Sequence, residues 1–312
     1  MPILHLIPVG VSLLKQIDDG NLPLLTSALA DGELPGSADT VWEALSKATG
    51  PRHELDLDRL KLTGTPRATV ASDPSMAAEW TSVRAVRDDA DYSAAGGRAY
   101  VLIATDSDRG LRAATLVAMR YRHTTVRYLH EPLQAGPLAA DPGDVYICRI
   151  PDLDLGEREP TSVTWRSLGA VGRMVVDTVT QTGHGEWDVV VHLSGGYKAM
   201  IPYLMVLAEG VHSRLRNEPL GPGRRPKIHA VAIHDPSDGT NPNQARNVID
   251  IPVRAFDGDL LADVRKLAAL TQPDTDDVGP DAPVDLRGLF IDRKNGRPYH
   301  LTSAGLIMVK VL

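Results

Sequence analysis

Residues 187–200 read WDVVVHLSGGYKAM. Trp187–Leu193 is a short apolar run, the pattern of a strand buried on both faces of a parallel sheet. Ser194-Gly195-Gly196 then turns the chain, and a helix is expected at once over Tyr197–Leu215. Strand, tight turn and helix in direct succession form the repeating unit of a parallel α/β sheet.

The same alternation extends outward. Upstream, Val163–Thr182 carries Leu168, Val171, Val175 and Val179 at helical spacing. Thr124–Leu129 and Asp144–Ile150 read as strands, with a helix from Asp108 to about Arg122 before them. Ala99–Thr105 is another buried-strand run. Asp73 is placed to cap a helix with Pro74 at its first position, running to about Asp88. Ile3–Val9 is an apolar strand leading to a helix through Leu13–Ala30. From Asp31 to Ser72 the signal is poor, apart from a helix near Thr40–Ala48. Downstream, Ile228–Ile233 and Val248–Pro252 read as strands and Asp259–Leu270 as a helix. The expected fold is α/β: a Rossmann-like, mostly parallel sheet with helices on both faces.

Ligands of such sheets sit beyond the carboxyl ends of the strands. The candidates there are Gly10-Val11-Ser12, Thr105-Asp106-Ser107, Ser194-Gly195-Gly196-Tyr197-Lys198 and His234-Asp235. The Gly195-Gly196 turn lets backbone approach a ligand closely. The following helix start offers unpaired N–H groups, and Lys198 adds a positive charge. Together they suit a phosphate, although neither a Walker loop nor a dinucleotide fingerprint is present. The plainer reading is a tight turn with Lys198 in solvent. Ser12 is either a ligand contact or a helix cap. Asp106, with Asp108 close by, hints at a metal, but caps and turn bonds explain Thr105-Asp106-Ser107 more simply, and no metal is expected. His192, inside the strand, reads as a core histidine. Arg224 and His229, five positions apart around Pro226, read as a chance spacing. The basic stretch Arg214–Lys227 reads as a solvated insertion or a partner patch.

The chain has 312 residues, 43% of them hydrophobic and 23% charged, enough apolar side chain for a folded core. Lysine and arginine number 33 against 40 acidic residues, a net charge of −7, which disfavours a duplex nucleic acid partner. The single cysteine, Cys148, excludes an internal disulfide and a cysteine zinc cage, and fits a cytoplasmic location. The apolar N-terminus lacks a basic leader and is too short to span a bilayer, so no membrane association is expected within the chain.

Composition changes after residue 270. Thr271–Asp285 holds five aspartates and three prolines and reads as a linker. Residues 286–312 read as a small C-terminal module: Asn295-Gly296 marks a hairpin, and Thr302 or Ser303 can cap a final helix. The expected organisation is therefore a ligand-sensing domain over 1–270, a linker over 271–285 and a hairpin or winged-helix-like module over 286–312. The apolar ending suggests a longer protein, or a helix that packs on a partner.

MPILHLIPVGVSLL, TDSDRGLRAA and HLSGGYKAMIPYL, in this order on these strand ends, resemble the CARF domain of type III CRISPR systems. The resemblance covers residues 1–270 in layout and three short segments in detail. It implies a Rossmann-like homodimer that binds a cyclic oligoadenylate, with the tetra-adenylate as the expected ring. It also implies control of a C-terminal effector domain or partner, here absent, through a winged-helix linker. Lys198 and the Gly195-Gly196 backbone would hold phosphates and Ser12 would approach the other side. In the family's ring nucleases Lys198 and Ser12 would be the catalytic positions, without metal or cofactor. Val11 departs from the Thr or Ser common before the motif's serine. Two other classes stay open: a nucleotide-dependent enzyme on the same sheet, and a ligand-responsive winged-helix transcription regulator.

Overall fold

The computed structural model describes residues 1–10, 78–121, 126–153, 159–181, 187–196, 198–217, 225–234, 247–271, 277–278, 286, 290–292 and 299–312. Seven strands form the main sheet: β1 (Ile3–Pro8), β2 (Arg98–Ala104), β3 (Val126–Leu129), β4 (Val145–Arg149), β5 (Asp188–His192), β6 (Ile228–His234) and β7 (Asn247–Ile251). Their order is β3-β4-β2-β1-β5-β6-β7. Every pair is parallel except β6 with β7. The helices between them are α1 (Ala78–Asp88), α2 (Asp108–Tyr121), α3 (Ser162–Thr180), α4 (Ile201–Asn217) and α5 (Gly258–Leu270). The mostly parallel α/β sheet expected from the strand-helix alternation is thus present. Antiparallel neighbours such as β6 and β7 need no crossover connection.

The order of strands creates a switch point. From β1 the chain moves to β2 on one side, and later returns to β5 on the other. The carboxyl ends of β1 and β5 lie side by side at this point, the general position of ligands on parallel sheets.

The faces of the sheet differ chemically. Leu4 and Leu6 of β1, and Val189 and Val191 of β5, join the large core that contains α3 and α4. Alternate residues, His5 and His192, face the other way, toward α1, because strand side chains alternate. Trp80, Val83 and Val86 supply the apolar part of α1.

The C-terminal segment shares the main core. Asp277–Val278 (β8), Ile291–Asp292 (β9) and Tyr299–Leu301 (β10) form a small antiparallel sheet, and Ser303–Val311 forms α6. Pairing of Leu301 with Ile291 and His300 with Asp292 fits the expected hairpin, whose Asn295-Gly296 turn lies outside the described residues. Thr302 caps α6, accepting from the Gly305 N–H. Within the segment read as a linker, Val278 is buried and pairs with Tyr299, and Asp277 pairs with His300. Residues 286–312, expected as a module of their own, also differ from that expectation in packing. Ile307, Met308 and Val311 are fully buried in the same core as α3 and α4. Glycines permit this approach: a Cβ on Gly169 of α3 would lie 2.4 Å from the Ile307 carbonyl oxygen, and one on Gly210 of α4 would lie 2.9 Å from Met308 Sδ. Arg214, read from sequence as part of a solvated stretch, donates to the Val311 carbonyl at 2.9 Å and pairs with Asp177 at 2.7 Å. Among the described residues, no helix is long and apolar enough to cross a membrane.

Candidate functional site

At the switch point the ends of β1 and β5 meet through backbone. Parallel pairing of Leu6 with Val191 brings the ends of β1 and β5 out together. Their loops touch: a Cβ on Gly10 would stand 2.9 Å from the Gly196 Cα. Gly196 has φ +74°, and a Cβ there would meet the Pro8 carbonyl oxygen at 2.7 Å. Only glycine meets both demands without strain.

This contact points two N–H groups at one place. Gly10 N–H donates to Glu79 Oε1 at 2.7 Å, and Gly196 N–H donates to the same oxygen at 3.1 Å. Glu79 stands on α1, 1% exposed, with its Cγ 3.2 Å from where a Gly195 side chain would begin. Two amides converging on one carboxyl oxygen form an oxyanion seat, which offers fixed partial positive charge with little reorganisation.

The sequence reading named the glycines and missed the carboxylate. A signal for it existed: Glu79, Val83 and Val86 recur at helical spacing, so the acid sits on the buried stripe of α1.

One turn along α1, Ser82 continues the polar contact into the sheet. Its hydroxyl lies 2.6 Å from His192 Nδ1, and His192 Nε2 lies 2.9 Å from His5 Nδ1. His5 stacks on Tyr100, with ring centroids 5.3 Å apart. All three polar residues are fully buried. Burial lowers the His192 pKa to about 3. Burial lowers that of His5 too, helped by His192 and Arg98. The pair is neutral at physiological pH, and His192 is the core histidine that its strand position suggests.

The remaining sequence candidates divide by place. Lys198 is exposed, in a short 3-10 turn (Lys198–Met200) that leads into α4. The α-helix itself starts at Ile201, later than the expected Tyr197. Pro202 suits that first turn because it has no N–H to leave unpaired. Ser194 Oγ accepts from the Ile233 N–H and so fastens the end of β5 to β6. Val11, Ser12, Tyr197 and Asp235 lie outside the described residues.

Thr105, Asp106 and Ser107 stand at the end of β2 and have partners inside the protein. Ser107 accepts from Gly110 N–H at 3.1 Å and caps α2, and it lies 3.1 Å from Thr105 Oγ1. Asp106 forms a two-point pair with Arg149 at 2.7 and 3.0 Å and accepts from the Asp152 N–H at 2.8 Å. Arg149 Nη1 is 3.2 Å from His130 Nε2, and His130 Nδ1 is 3.1 Å from the Tyr128 hydroxyl. Burial, and then the charge of Arg149, lower the His130 pKa. Among the described residues, no three acidic, histidine or cysteine side chains gather as a metal cage requires. Cys148 is buried in β4, and burial pushes its thiol pKa up, which makes it a poor nucleophile.

The chain matches no protein-family model and no curated protein.

Proposed function

We propose that the protein binds a cyclic oligoadenylate, with the tetra-adenylate as the expected ring, and that the loops after β1 and β5 hold its phosphates. The observation that carries this reading is the convergence of the Gly10 and Gly196 amides on one carboxyl oxygen. The exposed Lys198 two residues later supplies a full charge on the same loop. Their place at the switch point agrees with the general position of ligands on parallel sheets. The sequence segments around the same residues are those that resemble the CARF family.

In this proposal two copies of the chain meet the ring about a two-fold axis, as a cyclic ligand with repeated phosphates favours. The C-terminal hairpin and α6 serve as the winged-helix-like link to an effector. If the ring is cleaved, a ribose 2′-oxygen attacks the neighbouring phosphorus and the bond from phosphorus to the 5′-oxygen breaks. The 2′-hydroxyl proton is lost, the 5′-oxygen is protonated, and a 2′,3′-cyclic phosphate remains. Lys198 and the glycine amides would stabilise charge on the phosphate oxygens, and Ser12 would orient the attacking hydroxyl.

Calorimetry of the full chain against cyclic tetra- and hexa-adenylate tests the proposal, followed by chromatography of the nucleotide recovered. Saturable binding at one ring per two chains is expected. No heat with either ring, at protein concentrations of tens of micromolar, overturns it.

A further inference from the structure

Glu79 occupies the point where the amides of the two loops converge. Both converging amides are already donated to its carboxylate. Each amide has one hydrogen, and a ligand oxygen at the same point would need both. Charge adds to this: a phosphate brought to the seat beside a retained carboxylate meets a like charge in a partly buried place.

We propose that Glu79 is the internal placeholder for a ligand phosphate oxygen: the Gly10 and Gly196 amides are the phosphate seat, and the carboxylate leaves it when the ligand arrives. This rests on the proposed binding of a phosphate-bearing ligand and adds the residue that must yield.

The surroundings of Glu79 give the exchange a consequence. Glu79 and Ser82 lie one turn apart on α1, so one helix is fastened at two points. Glu79 holds the loops of β1 and β5, while Ser82 holds His192 of β5 and through it His5 of β1. Displacing the carboxylate frees the first point and leaves the second, so the start of α1 loosens while its middle stays anchored. Occupation of the seat is thereby reported to the face of the sheet opposite the C-terminal segment.

The discriminating variant is Glu79→Gln. Its amide oxygen can still accept both hydrogen bonds in nearly the same volume, while the charge is gone. Full-length wild type and variant are titrated calorimetrically with cyclic tetra-adenylate and, separately, with inorganic phosphate. The expected result is affinity higher in the variant by about tenfold or more, since a close like charge has been removed. Equal or weaker binding by the variant overturns the placeholder and leaves the cyclic oligoadenylate reading standing. Phosphate binding that appears or tightens in the variant, with no binding of the ring by either protein, upholds the placeholder and removes that reading. No binding of either probe to either protein removes both.

Hydrogen exchange on the wild type gives a readout that does not depend on the variant's folding. Cyclic tetra-adenylate, or phosphate where the ring does not bind, should speed exchange in the first turns of α1 while the Gly10 and Gly196 amides stay protected. Slower or unchanged exchange in α1 on saturation contradicts the displacement.

Discussion

Two carboxylates sit along the carboxyl edge of the sheet, and the protein treats them differently. Asp106, at the end of β2, is matched by Arg149 at two points and closed further by the Asp152 amide. Glu79 is brought from α1 to the ends of β1 and β5 and accepts from two loop amides. The first arrangement joins two full charges, and either partner alone would be left with an uncompensated charge in a place that is 12 to 18% exposed. The second sets a carboxyl oxygen against the partial positive charges of two amides, which an anion of similar shape can use. The comparison teaches that strand-end position selects candidates, and that the nature of the partners separates a fastening from a seat.

Breaking the fastening should have the larger effect. Arg149→Ala removes one member of a largely buried pair and should cost about 3–5 kcal/mol of stability. Urea unfolding measures this, and a loss near zero would show that the pair is solvated and that both ends of the edge are equally open. The variant that remains folded should bind the ligand as the wild type does.

Acid sharpens the comparison from the Glu79 side. His5 and His192, beneath α1, are neutral in the folded core and have lowered pKa values, about 3 for His192. The unfolded chain takes up protons on these rings as pH falls below their ordinary 6.5, while the folded chain does not. This contribution to stability is therefore complete above pH 6.5 and declines below it toward the folded pKa. The slope is about 1.4 kcal/mol per pH unit for one histidine, or about 2 kcal/mol by pH 5. Unfolding free energies measured from pH 7 to pH 5 should show this fall, before most carboxylates titrate. A flat profile would mean that the Ser82–His192–His5 contact is open to protons and does not anchor α1.

Much of the fold was legible because its strands are continuous apolar runs. Arg98–Ala104, Val145–Arg149 and Asp188–His192 lie within two residues of the sequence expectation. The place of the site was legible for a related reason: glycines at a strand end have few purposes. The spacing of Glu79 with Val83 and Val86 marks a buried position, but its partners, 69 and 117 residues away, were not legible. Arg149 was hidden in the same way, as its bond to Asp106 spans 43 residues. The packing of α6 in the main core was not legible, because the change of composition after residue 270 says nothing about packing. Gly169 and Gly210, the positions that admit α6, look in sequence like ordinary small residues of α3 and α4.

The central claim is that the loop after β5 holds a ligand's phosphates. Its most direct test is a calorimetric titration of wild type and Lys198→Ala with cyclic tetra-adenylate. Lys198 is exposed, so its removal should leave the fold intact while taking away a full charge on the loop that carries Gly196. Affinity should be about ten- to a hundredfold weaker in the variant, the range for charged hydrogen bonds, with an unliganded melting point no lower than that of wild type. Equal affinity in the two proteins would contradict it.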